Sequence, residues 1–209
     1  MRPGQVFYDV GANIGVYSIL AARQVSPGGK VYAFEPHGPN FARLIDNVIF
    51  NSLQDVVIPC SFALNDTEGY LNFNYDSLIP GTSKSQLVPA STPTSTLPGY
   101  QIAELKHAVT IDLLLASGRV EPPHHVKIDV DGNEYPILQG MAKLLASPQA
   151  PLTLQVELNE PRAAGILSFL QAHNYCLAKK HYSRSAARRM AAPDDHQNSG
   201  CNGIFTKCP

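Results

Sequence analysis

Val6-Phe7-Tyr8-Asp9-Val10-Gly11-Ala12-Asn13-Ile14-Gly15 decides the fold of this 209-residue chain. The apolar run Val6-Phe7-Tyr8 reads as a buried strand, and the segment after Gly15 reads as a helix. A strand that delivers a carboxylate, then a glycine turn, to a helix start builds a pocket for a nucleotide-like cofactor. The glycines let a ligand approach the backbone closely. The free N–H groups at the helix start attract an oxyanion. Asp9 is the unusual part: it would repel a pyrophosphate but hold an ammonium. A ligand with an ammonium, a carboxylate and a ribose suits both halves, and S-adenosylmethionine is such a ligand.

The spacing sets this turn apart from its competitors. A dinucleotide fingerprint starting at Gly11 would need glycines where Asn13 and Val16 stand. A P-loop would need Gly-Lys-Ser/Thr, which is not present here. Val31-Tyr32-Ala33-Phe34-Glu35-Pro36 reads as the neighbouring strand, and Glu35 falls 20 residues after Gly15. In a β-α-β unit that places a carboxylate where it accepts hydrogen bonds from ribose hydroxyls. Nicotinamide enzymes use the same device, so Glu35 supports a ribose without choosing the cofactor.

Apolar segments alternating with helical ones predict an α/β fold with a mostly parallel sheet covered on both faces. Helices are expected near 15–24, 40–51, 110–115, 134–145 and 163–172. Strands are expected near 6–10, 30–35, 56–58, 70–75, 125–130, 152–157, 175–178 and 202–206. Residues 81–99, rich in Ser, Thr, Pro and Gly, read as a mobile loop, either a lid or a plain insertion. No repeat or second domain is visible, so residues 1–209 are expected to form one domain.

Net charge is −1 and hydrophobic content is 44%, so no basic field recruits nucleic acid or membrane. There is no apolar run of about 18 residues or more. No secretory leader is visible at the N-terminus, and a cytoplasmic location is the expectation. Cys60 and Cys176 lie in apolar contexts and read as reduced core residues. A bridge between Cys201 and Cys208 is left open.

The second constellation is Val126-Lys127-Ile128-Asp129-Val130-Asp131-Gly132-Asn133-Glu134. Charges are costly inside a buried sheet but expected at its carboxyl edge, where open α/β sheets bind ligands. Asp129, Asp131 and Glu134 are therefore expected to face the pocket. Capping of the next helix by Asp131 or Asn133, and pairing of Lys127 with an acid, are the structural alternatives.

With Ala63-Leu64-Asn65-Asp66…Gly69 and Thr110-Ile111-Asp112 between them, these motifs run in the order of the FkbM-type methyltransferase family, which the chain resembles over roughly residues 6–160. The resemblance implies a class I methyltransferase fold, a Rossmann-like three-layer sandwich whose seven-stranded sheet ends in an antiparallel strand. It implies S-adenosylmethionine as cofactor and O-methylation of a hydroxyl on a sugar, glycan, polyketide or related metabolite. By that resemblance Asp9, Gly11, Ala12, Asn13 and Gly15 surround the methionine part. Glu35 and Pro36 lie at the ribose, Phe62 and Ala63 near the adenine, and Asp129 by the methyl group. Two features depart from the family: it usually carries helices before the first strand, and Asp131 stands where Glu is common.

An alcohol acceptor needs a base within hydrogen-bond reach. Asp129 is the first candidate, then Asp131, then Glu157. No metal is required, although these three carboxylates could serve Mg²⁺. His124 and His125 precede their strand and belong at the opposite edge. His181 opens a basic stretch through Arg188 and Arg189 that could bind an anionic acceptor. A non-catalytic S-adenosylmethionine-binding module, or less favourably an NAD-dependent oxidoreductase, is the alternative. The acceptor's identity and the oligomeric state are not legible.

Overall fold

The computed structural model describes residues 1–91, 99, 101–159, 161–182 and 201–209. In chain order its first elements are β1 (Val6–Val10), α1 (Val16–Val25), β2 (Lys30–Phe34), α2 (Gly38–Phe50) and β3 (Val57–Cys60). Next come β4 (Ala63–Leu64), β5 (Gly69–Tyr75), β6 (Gln86–Pro89), β7 (Ile102–Val109) and α3 (Ile111–Ala116). Then follow β8 (His125–Ile128), α4 (Glu134–Gln139), α5 (Ala142–Leu145) and β9 (Thr153–Leu158). The chain closes with α6 (Ala163–Ala172), β10 (Tyr175–Tyr182) and β11 (Cys201–Lys207).

Seven strands form the main sheet in the order β10-β11-β9-β8-β1-β2-β3. β11 runs antiparallel to both neighbours, and the pairings among β9, β8, β1, β2 and β3 are parallel. This is the class I methyltransferase architecture. Alternation along β1 builds two cores. Val6, Tyr8 and Val10 join one cluster with Phe34, Ile128, Leu138 and Leu154. Phe7 joins the other with Ala21, Ala22, Val25 and Leu44 from α1 and α2. Asp9 therefore points to the α1 face. It lies beside Lys127 on β8, and Glu157 shares that face on β9.

A second, four-stranded sheet in the order β4-β7-β5-β6 stands between β3 and α3 in sequence. Sequence patterning shows only part of it. β6 falls inside the stretch expected to be a loop, and β7 falls where no regular structure was expected. Most β7 side chains are exposed or half-exposed, so the strand lacks the apolar alternation that marks one side as buried. Residues 92–98 of the expected loop lie outside the described residues.

Two further expectations are corrected. The helix expected over 134–145 breaks at Gly140, where a Cβ would stand 2.0 Å from the Asn65 carbonyl oxygen. Only glycine fits against that carbonyl, and the backbone leaves helical geometry at the next residue, Met141, with φ −121°. Cys176, expected to be a reduced core residue, forms a disulfide with Cys208. The β10–β11 register explains this pairing: Cys176 lies opposite Thr206, whereas Cys201 lies at the far end, opposite Tyr182. Cys201 and Cys60 are free and buried. Among the described residues no helix is long and apolar enough to cross a membrane.

Candidate functional site

Most of the candidate site residues gather at the carboxyl edge of β1, β2, β8 and β9, as parallel strand topology favours. The turn after β1 is shaped by contact. Gly11 has φ +78° and lies against β8, where a Cβ would be 2.1 Å from the Asp129 carbonyl oxygen. Gly15, at φ +91°, opens α1 where a Cβ would meet Leu44 at 2.5 Å. Asn13 also adopts positive φ, 52°, which Asn tolerates better than most residues.

Three neighbouring hollows share Gly11, Val130 and Asp131. The largest, about 970 Å³, lies over α1 and is lined by Ala12, Asn13, Tyr17, Lys127, Asp129 and Glu157. The second, about 450 Å³, holds Glu35, Pro36, His37, Asn40, Thr82 and Ser85. The third, about 420 Å³, is mostly apolar, with Phe34, Phe62, Leu64, Phe73, Leu87 and Ile137 around it. Phe62 and Ala63 belong to this third hollow, whereas Glu157 lines only the largest.

Glu35 is 5% exposed. Its Oε2 accepts the Asn13 N–H at 2.7 Å and its Oε1 accepts the His37 N–H at 2.8 Å. Burial pushes its carboxyl up to about 7, against the pull of those two donors. Each oxygen keeps a second lone pair for a hydroxyl of a ligand.

Asp9 sits one layer lower than its motif suggests. It is fully buried, accepts the Ser18 hydroxyl at 2.6 Å, and lies 3.4 Å from the Lys127 ammonium. It lines none of the three hollows. Lys127 bridges it to Asp129, at 3.3 Å, and stands 4.9 Å from the centroid of the Tyr17 ring. Burial would lower the Lys127 ammonium, but Asp9 and Asp129 outweigh burial and hold it above the usual lysine range. The cation at the cleft floor therefore stays charged and fixes the Asp129 carboxylate, whose side chain is 34% exposed.

Asp131 lines all three hollows and accepts the Lys84 N–H from the segment that crosses the cleft. Glu157 is half-buried, and its carboxyl is raised first by burial and then by Asp129. Glu134 does not face the cleft. It is 2% exposed, accepts the Gly132 N–H at 3.3 Å, and burial pushes it up to about 7. Asn133 makes no side-chain cap and donates instead to the Leu64 carbonyl.

His124 and His125 lie at the opposite edge: His124 Nδ1 accepts the Val6 N–H, and His125 bonds Thr153 and Gln5. His181 lies inside β10 rather than after it. Arg188 and Arg189 lie outside the described residues. Among the described residues no group of three His, Cys, Asp or Glu side chains is arranged to hold a metal ion.

The sequence reading missed His37, Asn40 and Tyr17, and it left the Thr82–Ser85 segment, at the start of the 81–99 loop, open between a lid and a plain insertion; the segment lines the second hollow. His37 caps α2 through Nδ1, a place usually taken by Ser, Thr, Asp or Asn. Thr82–Ser85 comes from the small sheet, whose position no local pattern predicts.

An S-adenosylmethionine molecule fits these residues. The Gly11 cradle leaves no room for a Cβ, a buried carboxylate offers lone pairs to hydroxyls, and an apolar hollow adjoins it. The rim carboxylates suit a cationic ligand.

Comparison with known proteins bears on the family and the fold. Residues 9–177 match the family model described as Methyltransferase FkbM domain. The hexuronic acid methyltransferase AglP of Haloferax volcanii is 30% identical over 142 residues, which is 68% of this chain and 52% of that protein. The 31-O-demethyl-FK506 methyltransferase FkbM of Streptomyces tacrolimicus is 41% identical over 69 residues, 33% of this chain and 25% of that protein. The matched stretches thus span about half or less of these relatives. The crystal structure of a methyltransferase FkbM from Methylobacillus flagellatus superposes with a TM-score of 0.62 at 14% identity, over 99% of this chain and 44% of that one. A precorrin-6y C5,15-methyltransferase from Geobacter metallireducens superposes with a TM-score of 0.54 at 13% identity, over 100% of this chain and 82% of that one. Both share the fold.

Proposed function

The chain belongs to the FkbM methyltransferase family, and on that premise we propose that it methylates a hydroxyl oxygen of a sugar or related metabolite, using S-adenosylmethionine. One observation carries the reading. A carboxylate-bearing hollow and an apolar hollow meet at Gly11, Val130 and Asp131, which suits a ribose joined to a flat base. The cofactor brings an activated methyl group on a sulfonium, and the protein supplies position and electrostatics. Glu35 accepts ribose hydroxyls, and Phe34, Phe62 and Phe73 enclose the base. Asp129, Asp131 and Glu157 favour positive charge in the large hollow.

An alcohol becomes a competent nucleophile as its proton leaves. Asp129 is the residue for that proton: it is partly open to the large hollow and is held by Lys127 from below. Asp131 and Glu157 flank it and orient the acceptor. The sugar class is supported by the name of the Haloferax volcanii relative. The acid-lined rim favours a neutral or cationic acceptor over an anionic one.

The test is transfer of an isotope-labelled methyl from S-adenosylmethionine to a panel of sugars, free uronic acids and polyketide alcohols, with alkaline stability of the product separating ether from ester. We expect an ether product, and we expect Asp129→Asn to lower kcat about 10²–10⁴-fold. Methyl transfer to nitrogen, or an unaffected Asp129→Asn enzyme, would contradict the reading.

A further inference from the structure

Segment Gly81–Ser85 crosses the cleft, and a closed ring of hydrogen bonds ties it to Glu35. Glu35 Oε2 accepts the Asn13 N–H, and Asn13 Nδ2 donates to the Thr82 carbonyl at 3.2 Å. The same carbonyl accepts Asn40 Nδ2 at 3.1 Å. The Asn40 N–H donates to His37 Nδ1 at 3.2 Å, and the His37 N–H returns to Glu35 Oε1. Since His37 Nδ1 accepts, its Nε2 carries the proton and donates to the Ser77 carbonyl at 2.8 Å.

Asn40 is the pivot of this ring. It is 3% exposed, and its amide grips two peptide units of the segment, on either side of the Gly81–Thr82 bond. Nδ2 takes the Thr82 carbonyl while Oδ1 accepts the Gly81 N–H at 2.7 Å. The far end of the segment is anchored where Asp131 accepts the Lys84 N–H. Both anchors are side chains of the cleft itself, and Thr82, Ser83 and Ser85 line the hollow that holds Glu35. A buried amide that satisfies both of its functions on a crossing segment has a definite task. An apolar residue there would leave the Gly81 N–H without its partner and the Thr82 carbonyl held by Asn13 alone.

We propose that Asn40 is a positioning residue for the cofactor. It locks Gly81–Lys84 across the ribose hollow as a strap, so that the ligand leaves only when the strap lifts. The inference rests on the cofactor reading above and adds what retains the ligand. The strap sets the rate of departure, and Glu35 sets which hydroxyls are recognised. A merely structural Asn40 would change stability and leave the dissociation rate untouched.

The experiment is stopped-flow binding of S-adenosylhomocysteine to the wild type and to Asn40→Ala. We expect the variant to release the ligand about tenfold faster, with little change in the association rate constant. Equal dissociation rates would overturn the proposal. Amide hydrogen exchange of the wild type guards against a variant that does not fold. S-adenosylhomocysteine should slow exchange at the Gly81 and Lys84 N–H groups and leave the distant Gly118–Arg119 turn unchanged. Unchanged exchange at Gly81 and Lys84 would overturn the strap even if Asn40→Ala were unfolded. A wild type that does not bind S-adenosylhomocysteine would overturn the cofactor reading and this inference together, an outcome distinct from binding with equal off-rates.

Discussion

At the residue scale, the least expected feature is the charge laid under the cleft. Asp9 reads in sequence as a ligand for an ammonium, and the structure gives it one from within the protein, the Lys127 side chain. Adjacent register on β1 and β8 makes this unavoidable, because both residues point to the same face of paired strands. Removing one partner of a buried pair leaves the other uncompensated. Lys127→Ala should therefore cost about 3–5 kcal/mol in urea unfolding, and a loss below about 1 kcal/mol would show the pair to be solvated. Glu134 gives a second residue-scale prediction. Its carboxyl is raised from 4.5 to about 7 by burial. The folded state thus holds a proton that the unfolded chain loses first. This contribution is fully present below pH 4.5 and is lost as pH rises through about 7. Glu134→Gln should flatten the fall in stability between about pH 5 and pH 8 by roughly 2–3 kcal/mol. An unchanged slope would mean that the carboxyl titrates normally.

At the element scale, sequence patterning was informative where a strand or helix has one buried face. β1, β2, β8 and β9 carry near-continuous apolar runs, so the strands themselves were legible; of the charged residues expected at the pocket, Asp9 and Glu134 turn out to be buried away from it. Glu35, Asp129 and Asp131 line the cleft where parallel topology puts strand ends. β6 and β7 were not legible, because a small sheet exposed on much of its surface leaves no period to read. Motifs can also serve elements rather than ligands. Asp112, part of the Thr110-Ile111-Asp112 motif, points away from ligand chemistry. Its oxygens accept the Lys143 and Leu144 N–H groups, both at 2.9 Å, and so cap α5 from a neighbouring helix. Asp112→Ala should lower stability by about 1–2 kcal/mol and leave S-adenosylhomocysteine affinity unchanged. A loss of affinity would assign Asp112 to the site.

At the scale of the whole molecule, two sheets divide the labour. The seven-stranded sheet presents carboxylates at its edge, and the small sheet sends Phe73, Leu87 and the Gly81–Ser85 segment across to close the hollows. Local sequence patterns speak to the first and, beyond β5 and a possible lid over 81–99, say little of the second, because closure depends on contacts between residues 40 to 70 positions apart, such as Asn40 with Thr82 and Asn13 with Thr82. The same holds for Cys176 and Cys208, separated by 32 residues and brought together by the β10–β11 register. Cys208→Ser should lower stability by about 3–4 kcal/mol through the loop closure it releases, read as a shift in the urea midpoint. The central claim concerns the cofactor, and calorimetric titration with S-adenosylhomocysteine tests it most directly, with NAD⁺ as control and Glu35→Gln alongside. We predict micromolar binding of S-adenosylhomocysteine and none of NAD⁺. We also predict affinity about 10- to 100-fold weaker in Glu35→Gln, the loss expected for charge-assisted hydrogen bonds. Absence of S-adenosylhomocysteine binding, equal binding of NAD⁺, or an unaffected Glu35→Gln variant would contradict the account.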